Sequence, residues 1–266
     1  MIKNQIIETL LIKIKFSFIY CNICGGIQKI KIKSANFRED CICKKCRSNT
    51  RKRHISAIFL EEINHRYKMR INSLSKIPSH LNLKIYNLES DGALHKYLKH
   101  TNEYVCSEYF GSYEDVGLEL NGTLNVDLMS TPFKNESFNY ILSTRVFEHI
   151  PNPYKAFMET YRILKKGGAH IFTVPYYQDN LMDETRAIIN VDNEITYLLE
   201  PQYHGDPIRK KEGILVYTIF AKEMISKLEK IGFSVKIDDQ INYKLGIIGA
   251  NNYVFTAIKN PKNWYQ

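Results

Sequence analysis

The chain has 266 residues, 37 Lys+Arg against 28 Asp+Glu, a formal net charge of +9 and 44% hydrophobic residues. The charge is uneven: residues 1–70 hold 16 basic and 5 acidic side chains, whereas residues 71–266 hold 21 and 23. These figures exclude a uniformly basic coat and a disordered or low-complexity chain, and the length suits one full domain plus a small one.

The first twenty residues have the outline of a targeting segment. Lys13 and Lys15 interrupt the apolar stretch from Leu10 to Tyr20, and no small-residue cleavage site follows. No run approaches the roughly 18–20 apolar residues that span a bilayer. The expectation is a soluble cytoplasmic protein without a membrane span.

Five of the six cysteines, Cys21, Cys24, Cys41, Cys43 and Cys46, fall within 26 residues. Such clustering fits a metal site better than a disulfide framework. Cys21-Asn22-Ile23-Cys24 and Cys43-Lys44-Lys45-Cys46 are two CxxC pairs separated by eighteen residues. Each pair turns two thiolates toward one ion, and two pairs complete a tetrahedral shell around Zn²⁺. Gly25-Gly26 permits the tight turn after the first pair. The expected ligands are Cys21, Cys24, Cys43 and Cys46, with Cys41 a spare or a competitor for the position of Cys43. Four protein ligands make such a site structural, with Lys44, Lys45 and Arg47 offsetting its net negative charge. The run Arg51 to His54 then leads into a helical pattern from Ile55 to Ile63. It reads either as a solvated helix start or as a phosphate-binding patch. Residues 1–70 are thus expected to form a small zinc-ribbon-like module with a linker helix.

From about residue 82 the pattern alternates strand and helix. Strands are expected at Leu83–Leu88, Tyr104–Glu108, Thr123–Asp127, Ser137–Ser143 and Ala169–Val174, with helices through Leu98, at Tyr154–Leu164 and near Ala221–Ile231. This alternation argues for an α/β fold, a parallel sheet with helices on both faces. Ligands of such sheets sit outside the carboxyl ends of the strands. There, Gly92 allows close backbone approach, Glu108 offers a bidentate acceptor for vicinal ribose hydroxyls, and Asp127 offers an acceptor for an exocyclic amine. A lone acid at a strand end also serves as a turn cap.

The segment Asp127-Leu128-Met129-Ser130-Thr131-Pro132-Phe133, continuing to Ser137-Phe138-Asn139, resembles the signature of S-adenosylmethionine-dependent methyltransferases with a Rossmann-like fold. Val146-Phe147-Glu148-His149-Ile150 and Arg162-Ile163-Leu164-Lys165-Lys166-Gly167-Gly168 are similar to two further motifs of that family, in the family's order. The four-Cys start resembles a zinc-ribbon-containing subset. The resemblance implies a seven-stranded, mostly parallel sheet across residues 71–266. It also implies S-adenosylmethionine as cofactor beside structural Zn²⁺. By the same resemblance, Glu89 and Gly92 lie under the methionine part of the cofactor, Glu108 binds the ribose, Asp127 and Leu128 bind the adenine, and Thr144 and Arg145 lie beside the reacting end. The glycine loop is sparser than the family's, Thr131 stands for a Leu, Lys166 for a Pro and Asn139 for an Asp.

A polar segment at about 176–214 follows the fifth strand and reads as a lid. His149, after the fourth strand, and His204, in the lid's His204-Gly205-Asp206-Pro207 turn, are the candidate bases; for His204, Asp206 is also a possible structural partner. Tyr176 and Tyr177 are candidate substrate contacts or wall residues. The expected function is O-methylation of a sugar or nucleotide-linked sugar in surface-glycan or capsule polysaccharide synthesis. The alternatives are an RNA methyltransferase that grips RNA with its zinc module, and an inactive zinc-ribbon interaction protein.

Overall fold

The computed structural model describes residues 18–31, 36–37, 39–111, 115–120, 122–205 and 213–260. Asp206 and the first seventeen residues lie outside them. No helix among the described residues is long and apolar enough to cross a membrane. The chain divides into two compact units. The first holds residues 1–84, 89–105 and 237–254, and the second holds 85–88, 106–236 and 255–266.

In the first unit, β1 (Phe18–Tyr20), β2 (Ile27–Lys31) and β3 (Ile42–Cys43) form a three-stranded antiparallel sheet. Helix α1 (Thr50–Tyr67) follows, its start fixed by Asn49, whose side chain accepts from the Lys52 N–H at 2.9 Å. Ile55, Phe59 and Ile63, four residues apart, form its fully buried stripe. Its end is set by Lys68 in the left-handed region (φ 53°) and by Asn64, which bonds both backbone groups of Ile71. The short helix α2 (Gly92–Leu98) buries Ala93, Leu94 and Leu98.

The second unit is built on an eight-stranded sheet. Its strands are β4 (Lys84–Asn87), β5 (Glu103–Glu108), β6 (Glu119–Leu120), β7 (Thr123–Asn125), β8 (Phe138–Thr144), β9 (Leu164–Thr173), β16 (Phe233–Asp238) and β17 (Val254–Lys259). Their spatial order is β16-β17-β9-β8-β4-β5-β7-β6. The pairs β4·β8, β8·β9 and β5·β7 are parallel, with Ile85 opposite Tyr140 and Leu142 opposite Ile171. The pairs β17·β9 and β6·β7 are antiparallel. The sheet has eight strands rather than the expected seven because the chain doubles back through a hairpin, adding β6 at the edge. Strand β9 begins five residues before the expected Ala169. Gly167 (φ 70°) and Gly168 carry it past a register shift against β8, and a Cβ on Gly168 would stand 2.9 Å from the Asn139 carbonyl oxygen.

Helix α3 (Pro153–Ile163) starts at the cap Asn152 and buries Ala156, Phe157, Thr160 and Ile163. Phe147, Phe157 and Phe172 surround His170 in an aromatic core, with Phe255 stacked on Phe172. His170 is fully buried, and its Nε2 pairs with the Ser143 hydroxyl at 2.9 Å. The segment before α4 (Lys222–Ile231) forms three small antiparallel pairs in its described part. These are β10 (Glu184–Thr185) with β15 (Thr218–Ile219), β11 (Ala187–Ile189) with β12 (Ile195–Tyr197), and β13 (Tyr203–His204) with β14 (Ile214–Leu215).

Burial lowers the His170 pKa from 6.5 to about 3. The unfolded chain therefore binds one more proton than the native state between those values, so stability is full above pH 6.5 and falls as the pH drops toward 3. His170→Phe should reduce the pH slope of unfolding free energy in that window by about 1.4 kcal/mol per pH unit relative to wild type. Denaturant titrations of both proteins at several pH values measure this, and parallel profiles would refute it.

Candidate metal centre and candidate active site

Cys21, Cys24, Cys43 and Cys46 converge in the first unit, all four buried, their sulfurs within 4.8 Å of one another. The Cys21–Cys46 and Cys24–Cys43 separations are 3.6 and 3.9 Å. A tetrahedral ion with Zn–S bonds of ~2.3 Å requires sulfurs about 3.8 Å apart, so the set fits Zn²⁺. The first knuckle is closed by Cys21 N–H to Gly26 O at 3.0 Å and by Gly25 N–H to Cys21 O at 2.9 Å, with both glycines at positive φ. Burial and the neighbouring sulfurs push the Cys24 thiol up to about 12. Metal ligation requires the thiolate form, and a bound cation supplies the charge that stabilises it. Cys41 is buried but stands outside the cluster, and burial pushes its thiol up to about 11.

Arg53 adds a buried cation to the exposed ones expected beside the cluster. Lys44, Lys45 and Arg47 are exposed, whereas Arg53 is fully buried. Its guanidinium donates to Ser48 O, Leu245 O and Gly246 O, each at 2.8 Å. Burial disfavours that charge, while Cys21, Cys41, Cys43 and Cys46 favour it. The neighbours of Arg53 are also committed. Arg51 pairs with Glu39 at 2.6 Å, Lys52 with Glu89 at 2.6 Å and His54 with Asp238 at 2.6 Å. The run Arg51–His54 is thus neither a solvated helix start nor an outward phosphate patch.

Of the expected cofactor residues, Glu89 and Gly92 lie in the first unit, in the loop after β4 and at the start of α2. Glu108, Asp127, Leu128, Thr144 and Arg145 lie in the second. Glu108 is the last residue of β5, and its carbonyl accepts from Val126 N–H at 2.9 Å, which aligns the end of β5 with that of β7. Asp127 stands two residues past β7, and one of its carboxylate oxygens accepts from Met129 N–H at 2.8 Å. That is the turn-capping contact open to an acid at such a place. Leu128 is buried and Thr144 ends β8. This donor set, two acids at the ends of neighbouring strands, suits the hydroxyls and amine of a nucleoside.

The two candidate bases meet. His149 Nε2 lies 3.4 Å from His204 Nδ1, although 55 residues separate them in sequence. His149 Nδ1 donates to Leu215 O at 2.7 Å, so its Nε2 faces His204 as an acceptor. Tyr217 N–H donates to the Glu148 carbonyl at 2.7 Å, seating the β14–β15 stretch against the turn after β8. Beneath the pair lies Glu148, fully buried. Its Oε1 is 3.7 Å from His149 Nε2, 3.8 Å from His204 Nδ1 and 2.9 Å from Arg145 Nε. Glu148, His149 and His204 lie close enough to share a cation, and the Arg145 guanidinium supplies positive charge there. Arg145 adopts φ 57°, tied by its N–H to Thr173 O at 2.9 Å, a constrained conformation for a long side chain. It also reaches the His204 ring at 2.9 Å. Tyr176 packs edge-on against Phe255, and Tyr177 is exposed. Sequence reasoning missed Glu148 as part of this cluster; its adjacency to His149 was the available signal. It also missed Arg53, whose partner carbonyls at Leu245 and Gly246 lie far along the chain.

Residues 91–172 match the family model described as a methyltransferase domain. An uncharacterized protein of Methanocaldococcus jannaschii is 30% identical over 102 residues, covering 38% of this chain and 41% of that protein. The chain thus spans about two fifths of that relative's length. A solved S-adenosylmethionine-dependent methyltransferase from Mesorhizobium loti is 14% identical with a TM-score of 0.42, over 68% of this chain and 93% of that one. The YcgJ protein from Bacillus subtilis is 13% identical with a TM-score of 0.39, over 76% and 99%.

Arg53→Met would remove the charge beside the sulfurs and leave three carbonyls without their donor. It should cost about 3–5 kcal/mol, read as a lower thermal midpoint. Cys24→Ser and Cys43→Ser should each lower the bound zinc, measured by elemental analysis against protein concentration. One zinc per chain retained in both variants would remove the metal centre.

Proposed function

We propose that this chain, which carries a methyltransferase domain of the S-adenosylmethionine-dependent, Rossmann-like class, methylates a hydroxyl acceptor. The acceptor proposed is a sugar or nucleotide-linked sugar of a surface glycan. The donor brings a methyl group already activated for transfer, so the chain's own work is to bind, to align and to move one proton. Proximity and orientation supply about 7–11 kcal/mol of such a barrier.

The observation that carries a hydroxyl acceptor is the pair of histidines over a buried carboxylate. With His149 Nδ1–H bonded to Leu215 O, His149 Nε2 accepts from His204 Nδ1–H. The His204 ring then supplies the base, with the Arg145 guanidinium 2.9 Å from both its nitrogens and the Gln202 amide 3.4 Å from Nε2, donors that must give way to the acceptor hydroxyl. His204 is the more accessible of the two rings, with 21% of its side chain exposed against 8% for His149. His204 is thus the catalytic base and His149 the residue that positions it. Glu148 stabilises the charge that the pair acquires when the hydroxyl proton arrives. Glu108 and Asp127, with Leu128 beside them, bind the nucleoside of the donor, and Thr144 lies at its reacting end. Glu89 and Gly92 serve its amino-acid end. The four-cysteine module holds a structural Zn²⁺, as in a zinc-ribbon-containing subset of the class. A module that grips RNA is disfavoured, because the basic run that suggested it has internal partners.

Transfer from radiolabelled S-adenosylmethionine should be detected with nucleotide sugars and not with total RNA. His204→Ala should lower turnover by about 10²–10⁴-fold while leaving the donor dissociation constant unchanged. Wild-type turnover in that variant would sink the assignment of the base, and label in RNA alone would sink that of the acceptor.

A further inference from the structure

Glu148, His149 and His204 all lie in the second unit. Glu148 has no exposed surface, and neither of its carboxylate oxygens has a hydrogen-bond partner among the described residues. A buried carboxylate in that state attracts a cation. Two ring nitrogens face it. Glu148 Oε1 is 3.7 Å from His149 Nε2 and 3.8 Å from His204 Nδ1, and the two nitrogens are 3.4 Å apart. The point equidistant from these three atoms lies about 2.1 Å from each, the bond length of Zn²⁺ to imidazole nitrogen and carboxylate oxygen. His149 is also oriented as metal-binding imidazoles are: its Nδ1–H bonds Leu215 O at 2.7 Å, which fixes the ring and turns the Nε2 lone pair to the cluster.

Arg145 is the opposing charge. Its Nε is 2.9 Å from Glu148 Oε1 and its guanidinium is 2.9 Å from both His204 nitrogens, with 20% of the side chain exposed. An incoming ion displaces that guanidinium toward solvent. The cost falls on every divalent cation, so the ions that overcome it are those that bond strongly to neutral imidazole. Mg²⁺ and Ca²⁺, which take oxygen ligands, do not.

We infer that Glu148, His149 and His204 form a second metal site, selective for zinc-type divalent cations, which shuts off the base when it is filled. The shut-off rests on the methyltransferase reading above; the binding does not. A metal bond to His204 Nδ1 moves that ring's proton to Nε2, and His149 Nε2 is occupied as well. Neither ring then has a lone pair for the acceptor's proton. With three protein ligands and an open fourth position, the ion exchanges, unlike one closed in by four cysteines.

The test titrates untagged full-length protein with Ni²⁺ and, separately, with Mg²⁺ by calorimetry, and then measures its zinc content. Wild type should bind one Ni²⁺ per chain, keep its zinc and ignore Mg²⁺. Glu148→Gln and His149→Ala should each weaken Ni²⁺ binding by more than about 100-fold, beyond the effect of a group that only supports a ligand. Arg145→Gln should bind Ni²⁺ about tenfold more tightly, a gain that a misfolded variant does not give. No Ni²⁺ binding in wild type, wild-type affinity in either ligand variant, or no gain in Arg145→Gln would overturn the site. Ni²⁺ should suppress methyl transfer with a midpoint at its dissociation constant, and full or raised transfer with the site filled would overturn the shut-off. Absence of transfer without added metal, beside intact Ni²⁺ binding, would remove the methyltransferase reading and the shut-off with it, while the site itself would stand.

Discussion

A fully buried guanidinium, that of Arg53, is the constraint on which the first unit turns. Taking a cation out of water costs several kcal/mol unless its protons are all engaged and an anion lies close. Arg53 meets both conditions. Three carbonyl oxygens accept from it, and the neighbouring cysteine sulfurs favour its charge. A zinc ion held by four thiolates would carry a net charge of about −2, which the Arg53 guanidinium would offset. Because two of the three carbonyls belong to Leu245 and Gly246, the same side chain fixes that turn against the start of α1. Gly246 must be glycine there: its φ is 65°, and a Cβ would stand 3.0 Å from the guanidinium.

The second unit solves the same problem differently. Glu148 has no exposed surface, and neither carboxylate oxygen receives a well-aligned hydrogen bond among the described residues. Its charge is met by Arg145 three residues earlier and by two imidazoles that gain charge only when protonated. Arg53, with carbonyls on all sides, is locked. Glu148, lacking hydrogen bonds and facing two titratable rings, is in a position to respond to a proton. The first arrangement suits a scaffold and the second suits a site where charge changes during a reaction.

The sequence made some of this legible because the relevant signals are local. Two CxxC pairs followed by Gly25-Gly26 specify knuckles within a few residues, and strand ends such as Glu108 show in the switch from apolar run to acid. Gly167-Gly168 do not look like strand residues, so the pattern places the start of β9 at Ala169, yet both lie within it. What was not legible depends on distant partners. Nothing within the run Arg51 to His54 shows that Arg53 faces two carbonyls near residue 245, or that His54 faces Asp238. Four consecutive charged or titratable residues look alike in sequence and differ entirely in what they touch. The meeting of His149 with His204 was hidden for the same reason, since it depends on the pairing of β13 with β14. The eighth strand was missed because β6 is two residues long, too short to show an alternating pattern.

The charge asymmetry of the chain takes its meaning from these partners. An electrostatic footprint for nucleic acid needs cations that face solvent together, so that bound phosphates release counterions. Here the dense part of the basic segment is spent internally, on Glu39, Glu89, Asp238 and three backbone carbonyls. What faces outward among the residues of the cysteine module, Lys44, Lys45 and Arg47, is a short surface stretch beside the buried four-cysteine cluster. Attraction from such a stretch is screened over about 8–10 Å at ordinary ionic strength. The positive charge of the run Arg51 to His54 therefore has its counterparts within the same unit, the anions Glu39, Glu89 and Asp238. Removing those anions, rather than adding a polyanionic partner, is the change that would leave it uncompensated.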